Sequence, residues 1–377
     1  MKLRIVPYTA EHEEAVRAFN ARLAAAKDLD TTVQSTVFPT SHVPEWLPKR
    51  PGCDLYQEQF VALDDESIVR GGYILKHQPF LVKGNLVRTA AFRLPISEGI
   101  IDRRFINVAV RLYADASERQ PYLFGLGGGG YHVPVIKFLL AAGWQPTLVP
   151  FWFRIVRPTV FLQNIAVLRN SALRQGMCEL LKCSGLGWLV IKGIFGIIGK
   201  YRPSAGVTYE LVSQFSDWAD DVWAECKAHY SLISVRDRQI LDVLYPKGNE
   251  RFKRLKIMRD GKAVGWAALL NTPMSDHKQF GNMRVGTLVD CLAKPDDARD
   301  VVACCRDFLI ADGADLLISN QASQAWGTAL RECGFLEGPS NFPFVASPKL
   351  AAFLEPFQET AKAFHLNRGG GDGPIHL

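Results

Sequence analysis

The alternation of apolar and polar positions divides the chain into short, recognisable units. In "LRIVPYTAEHEEAVRAF" an apolar strand gives way to Thr9 as a cap, and the acidic, periodically apolar residues after it predict an amphipathic helix. The stretch "QFVALDDESIVRGGYILKHQ" reads as a β-hairpin, two apolar runs about a polar turn. Further on, "YLFGLGGGGYHVPVIKFLLAAGW", residues 122–144, runs from an apolar strand through a glycine turn into a helix that ends at Gly143-Trp144.

The same order then returns. "YELVSQFSDWADDVWAE" matches the opening, with Ser216 as the cap, and "RLKIMRDGKAVGWAALLN" matches the hairpin, with Asp260-Gly261 at its turn. "LLISNQASQAWGTALRECGF", residues 316–335, matches the strand, turn and helix. Aligned on Gly143-Trp144 and Gly334-Phe335, Leu139 falls on Leu330 and Val135 on Trp326. After each Gly-aromatic pair comes one more strand ending near proline, "FWFRIVRP" and "NFPFVASP". Two copies of one α+β unit are therefore expected, at 1–158 and 206–350. The segment 351–377 is expected to be a helix and a flexible tail.

Composition changes this picture in one place. The chain has 377 residues and a net charge of +6, and it is long enough for two cores. From Arg154 to Arg202, eight Lys/Arg stand against Glu179 alone, so the rest of the chain sums to −1. This basic connector, 159–205, includes "GLGWLVIKGIFGIIG", which is shorter than the roughly 20 residues a spanning helix needs. It reads as buried or inter-domain helix, with peripheral membrane contact as the other reading. Aromatic residues are not interleaved among its charges, which argues against nucleic acid. The N-terminus lacks an apolar signal region, and the eight cysteines include no C-x-x-C pair. Scattered thiols fit a cytoplasmic protein, and no metal site is expected.

The order of elements, and the helix ending in "AAGW" or "ECGF", resembles the GNAT acyltransferase fold, and its occurrence twice resembles tandem GNAT proteins. The resemblance implies that each unit is a mixed, mostly antiparallel sheet flanked by helices, with acetyl-CoA or another acyl-CoA as co-substrate and an amine acceptor. It places the coenzyme pyrophosphate at the loop after the long central strand, here "FRLPISEGIIDRRFINVAVRL". The implied cofactor contacts are Leu94 and Ile96 on the strand, Gly99, Arg103 and Arg104 in the loop with Asp102 as a cap, and Gly128 and Gly129 at the floor of the pantetheine groove. The family's Arg-x-x-Gly-x-Gly/Ala is reduced to Gly99. In the second copy the loop is "CLAKPDDARDVVACC", where Asp296 and Asp297 would repel phosphate. Pro295 to Gly334 spans 39 positions against 48 from Pro95 to Gly143, so a deletion is expected where the cofactor would sit.

N-acyl transfer needs a base for the amine and an acid for the leaving thiolate. The Tyr that often serves as the family's acid is replaced by Leu139 and Leu330. Tyr131 and His132 at the end of the glycine turn, and Glu98 beside the loop, are the candidate catalytic residues. His132 is expected at the helix N-cap, where the helix dipole would favour the neutral imidazole. Asp290, on the second central strand, is a further carboxylate, read as structural.

The leading expectation is an acyl-CoA-dependent transferase acting on an amine of a small molecule, amino acid or amino sugar. A pair of non-catalytic GNAT folds serving as a scaffold is one alternative. A FemABX-like enzyme drawing on charged tRNA is another. A dinucleotide-binding oxidoreductase is disfavoured, although Gly125–Gly130 spells G-x-G-x-x-G. Such a site needs an acidic residue about 20 positions on, and none occurs between Glu118 and Glu179.

Overall fold

The computed structural model describes residues 2–26, 37–164 and 201–371, so most of the basic connector and the last residues of the tail lie outside the described residues. The first copy runs β1 (Arg4–Pro7), α1 (Glu13–Ala25), β2 (Tyr56–Leu63), β3 (Val69–Val82), β4 (Asn85–Ser97), α2 (Asn107–Arg119), β5 (Leu123–Leu126), α3 (Pro134–Ala141) and β6 (Gln145–Leu148). Then come β7 (Phe151–Ile155) and α4 (Pro158–Asn164). The second copy runs β8 (Val207–Val212), α5 (Asp217–Cys226), β9 (Leu232–Ser234), α6 (Arg238–Leu244), β10 (Lys253–Arg259), β11 (Lys262–Pro273) and β12 (Arg284–Ala293). It continues through α7 (Ala298–Ala311), β13 (Leu316–Asn320), α8 (Gln324–Glu332), β14 (Leu336–Gly338) and β15 (Pro343–Ala346). Helices α9 (Pro348–Phe353) and α10 (Phe357–Ala361) and strand β16 (Phe364–His365) close the chain.

Local chemistry accounts for most of these elements. Helix α1 buries Val16, Phe19, Asn20 and Leu23, and α2 buries Val108, Leu112 and Ala116, each set forming one stripe. Asp260 and Gly261, both at positive φ, turn β10 into β11, and Lys83 and Gly84 do the same between β3 and β4.

The chain divides into two compact units, Met1–Pro146 with Phe344–Phe357, and Thr147–Pro343 with Gln358–Leu377. In the first, the strands run in the order β1-β2-β3-β4-β5-β15, antiparallel except for β4 against β5. In the second the order is β14-β7-β13-β12-β11-β10-β8, and only β12 against β13 is parallel. The boundaries differ from 1–158 and 206–350 for one reason. Strand β7 follows the first repeat but pairs with β13, and β15 follows the second but pairs with β5. Both closing strands are short and apolar, so the local pattern fits either edge.

Two further expectations change. Asn367, Gly369 and Gly370 are buried, so the start of the expected flexible tail is a packed segment. Helix α3 begins at Pro134 with Val133 as its N-cap, which puts His132 one residue before the cap. Proline's fixed φ suits the first helical position, and this moves the helix start downstream.

Candidate functional site

Both central strands carry a bulge where their parallel partner leaves them. In the first unit the β4–β5 pairing covers Ala90↔Leu123 and Ala91↔Phe124. Just beyond, the register against β3 jumps from Ile74↔Arg93 to Gly72↔Ile96, setting Tyr73 against both Leu94 and Pro95. Leu94 takes the left-handed conformation, φ 43°, as a bulged residue does. In the second unit the β12–β13 pairing ends at Leu288↔Ser319, and the bulge falls at Val289, between Leu269↔Leu288 and Ala268↔Asp290. Measured between equivalent bulges, the two copies differ less than the prolines suggest. The loop from β4 to α2 spans 98–106 and that from β12 to α7 spans 294–297, with one 3-10 turn in place of two.

The first wedge is lined by half-buried residues and by exposed glycines, and the Leu94 side chain packs toward the core against α1. Arg93, Leu94 and Pro95 are half-buried, Gly125 and Leu126 likewise, and Gly128 and Gly129 are exposed. Gly127 to Gly130 all have φ between 89° and 104°, a run that only glycine adopts without strain. The turn delivers Tyr131, 38% exposed, and the exposed His132 to the start of α3. Neither side chain has a hydrogen-bond partner among the described residues. Partial burial raises the pKa of the Tyr131 phenol above its ordinary value.

The loop after β4 is committed to itself. The amides of Gly99, Ile101, Asp102, Arg104, Phe105 and Ile106 donate to Ser97 Oγ, Glu98 O, Glu98 O, Asp102 Oδ1, Asp102 O and Arg103 O. A Cβ at Gly99 would meet Phe105 O at 2.7 Å, so this glycine serves the loop's tight fold. Asp102 caps the turn as expected, and it also binds Arg104 Nε at 2.9 Å, a bond that holds its carboxyl below the usual range. Arg103 is exposed, with no ion-pair partner among the described residues. Ile96 belongs to the core against α1, with Val16, Phe19 and Leu23, so its side chain does not line the wedge.

Glu98 has a different place from the one sequence suggests. It is buried and accepts from Arg22 Nε at 2.7 Å and Arg70 Nη1 at 2.9 Å, while Arg70 Nε also holds Asp64 at 2.7 Å. Both its oxygens are engaged by guanidinium donors, so it anchors the loop to α1 and β3. Nothing in the sequence signals this pairing, because Arg22 and Glu98 lie 76 positions apart.

The second wedge is filled by the chain's own C-terminal segment. Ala322 N donates to Leu366 O at 3.0 Å and Gln324 N to Lys362 O at 2.9 Å, Gln321 bridges Asn367, and His365 Nε2 lies 2.7 Å from Cys291 O. At its centre Asp290 is fully buried. It accepts from Arg236 Nε at 2.7 Å, Tyr245 Oη at 2.8 Å, Asn367 Nδ2 at 2.8 Å and Cys291 N at 2.9 Å. The strand aspartate is the hub of this plug. The C-terminal segment thus occupies the second wedge, and no such segment of the described residues lies at Gly128 and Gly129 of the first, which are exposed.

Among the described residues there is no group of three or more potential metal ligands, and no helix is long and apolar enough to cross a membrane.

No family model and no curated protein matches the chain. Solved structures do. A conserved protein of unknown function from Enterococcus faecalis V583, described as a probable N-acyltransferase, matches with TM-score 0.51 and 11% identity over 94% of this chain and 74% of that one. A GCN5-related N-acetyltransferase from Anabaena variabilis ATCC 29413 matches with TM-score 0.52 and 12% identity over 91% and 72%. Saccharomyces cerevisiae N-myristoyltransferase with bound myristoyl-CoA matches with TM-score 0.50 and 9% identity over 92% and 82%. The chain thus has the fold of the GNAT acyltransferases. Both of its units follow that plan, so it is a tandem GNAT fold.

Proposed function

We propose that this chain is an acyl-CoA-dependent acyltransferase whose donor lies in the first unit, between the parted ends of β4 and β5. The acceptor is an amine on a small molecule, amino acid or amino sugar. The observation that carries this reading is the contrast between the two wedges. One exposes Gly128 and Gly129 beside a half-buried bulge, and the other is filled by residues 362–370. Donor and acceptor therefore meet in the first unit.

Acyl-CoA, when bound, supplies an activated thioester. The bulge at Leu94 removes backbone groups from the β3 ladder and leaves them for the amides of an extended ligand. Gly128 and Gly129, without side chains, allow that ligand to approach the backbone closely. With the loop's amides largely engaged, Arg103 carries the attraction for phosphate. Tyr131, protonated at neutral pH, donates its proton to the leaving sulfur, and His132 accepts one from the amine.

Thermal unfolding of the full chain with acetyl-, octanoyl- and palmitoyl-CoA tests the donor site. A ligand at one hundred times its Kd stabilises by about 2.7 kcal/mol. Gly129→Val, whose Cβ falls 3.1 Å from Val133 Cγ2, should abolish the shift. Tyr131→Phe and His132→Ala should keep it while slowing transfer about 10²-fold or more. If none of the three acyl-CoAs shifts the transition at millimolar concentration, the donor site is not there.

A further inference from the structure

In the second unit, the network around Asp290 leads to a residue that acyl transfer in the first unit does not use. Asn367 is fixed on Asp290 Oδ1 and by its bridge to Gln321. Gly369 lies so close to Asp290 Oδ2 and Tyr245 Oη that a Cβ would collide with both. Arg368 lies between these two packed residues.

The surroundings of its guanidinium are unusual for this protein. Arg368 Nε donates to Asn320 Oδ1 at 2.9 Å, a neutral partner, and among the described residues its two Nη groups have none. Among the described residues no carboxylate pairs with it, and its partial burial pushes its pKa down to about 10. Other arginines of this unit have a carboxylate or more than one carbonyl against the guanidinium, as Arg154 has Cys333 O and Gly334 O. Arg236 has Asp290, Arg259 has Asp297 and Asp300, Arg306 has Asp307, and Arg254 has backbone carbonyls that include those of Tyr245 and Phe252. A partly shielded charge without a counter-ion adds nothing to stability that an apolar side chain of similar size would not. The fork of a guanidinium matches a carboxylate or phosphate in two parallel bonds.

We propose that Arg368, presented beside Asn320 at the end of β13, is an oxyanion-binding residue that recognises the carboxylate or phosphate of a small ligand. The site belongs to the second unit and does not depend on a donor in the first.

The test uses the full-length chain and its Arg368→Met and Arg368→Lys variants, titrated calorimetrically with inorganic phosphate, pyrophosphate and acetate. Wild type should bind at least one of these at millimolar concentration or below. Arg368→Met should lose tenfold or more, and Arg368→Lys should fall between. The transition temperature of ligand-free Arg368→Met should equal or exceed that of wild type, as expected when an uncompensated charge is removed. Binding of phosphate or pyrophosphate alone identifies a phosphorylated ligand, and binding of acetate identifies a carboxylate. Gly129→Val should leave these titrations unchanged, which separates this site from the donor groove. The proposal is overturned if Arg368→Met binds as wild type does, if no anion binds wild type, or if Arg368→Met unfolds several degrees earlier.

Discussion

Replacing Asp290 by alanine is the sharpest probe of how the second unit is held together. The substitution removes the acceptor for Arg236 Nε, Tyr245 Oη, Asn367 Nδ2 and the Cys291 amide in a single step. Arg236, 1% exposed, is left as a buried cation without its carboxylate. Loss of one partner of a buried pair costs about 3–5 kcal/mol. For a unit of this size 1 kcal/mol corresponds to roughly 2–4 °C, so the transition should fall by about 6–20 °C. Calorimetry on the full chain reads the shift, and limited proteolysis after α10 reads release of residues 362–371. Replacing both partners, Asp290→Leu with Arg236→Met, should recover much of the loss, because no lone charge remains. A fall of under 2 °C for Asp290→Ala, with the C-terminal segment still protected, would refute the assignment of Asp290 as the hub.

His365 predicts a pH dependence. Burial, its main perturbation, pushes its pKa down to about 4, so the folded protein keeps it neutral while the unfolded chain protonates near pH 6.5. Between these values the unfolded state binds the extra proton. His365 therefore costs no stability above pH 6.5 and up to about 3 kcal/mol as pH falls to 4. Urea melts across pH 4–7 should show this slope, and His365→Gln should flatten it; an unchanged slope rejects the role. Gly286→Ala would place a Cβ 2.8 Å from Leu317 Cδ2 and 3.1 Å from Ala314 Cβ. Such overpacking costs about 1–3 kcal/mol, which denaturant unfolding would detect.

Much of the fold was legible because its signals are short-range. The Asp260-Gly261 turn, the apolar stripe of α1 and the glycines ahead of α3 each act over a few residues, and each appears where its pattern puts it. The repeat was legible for the same reason, since like patterns make like elements. The candidate site was less so. Tyr131, His132, Gly128 and Gly129 do come together on one turn, because they are neighbours in the chain. Glu98 looked available, yet its guanidinium partners come from α1 and β3. Ile96 looked like a groove residue, yet its side of β4 packs against α1.

By itself, the sequence determined two α+β units, their hairpins and helices, and a glycine turn that only glycine can make. Tertiary structure decided which sheet receives each closing strand, and which wedge the C-terminal segment fills. The last residues could be read as a loose tail because glycines and polar side chains bury little apolar surface by themselves. Asn367 and Gly369 are packed against Asp290 and Tyr245, which come from two other segments of the chain. Periodicity records what a residue prefers locally. The partner of a strand edge or a buried carboxylate is set by segments far away in the chain, through hydrogen bonds that exist only once the sheet has formed.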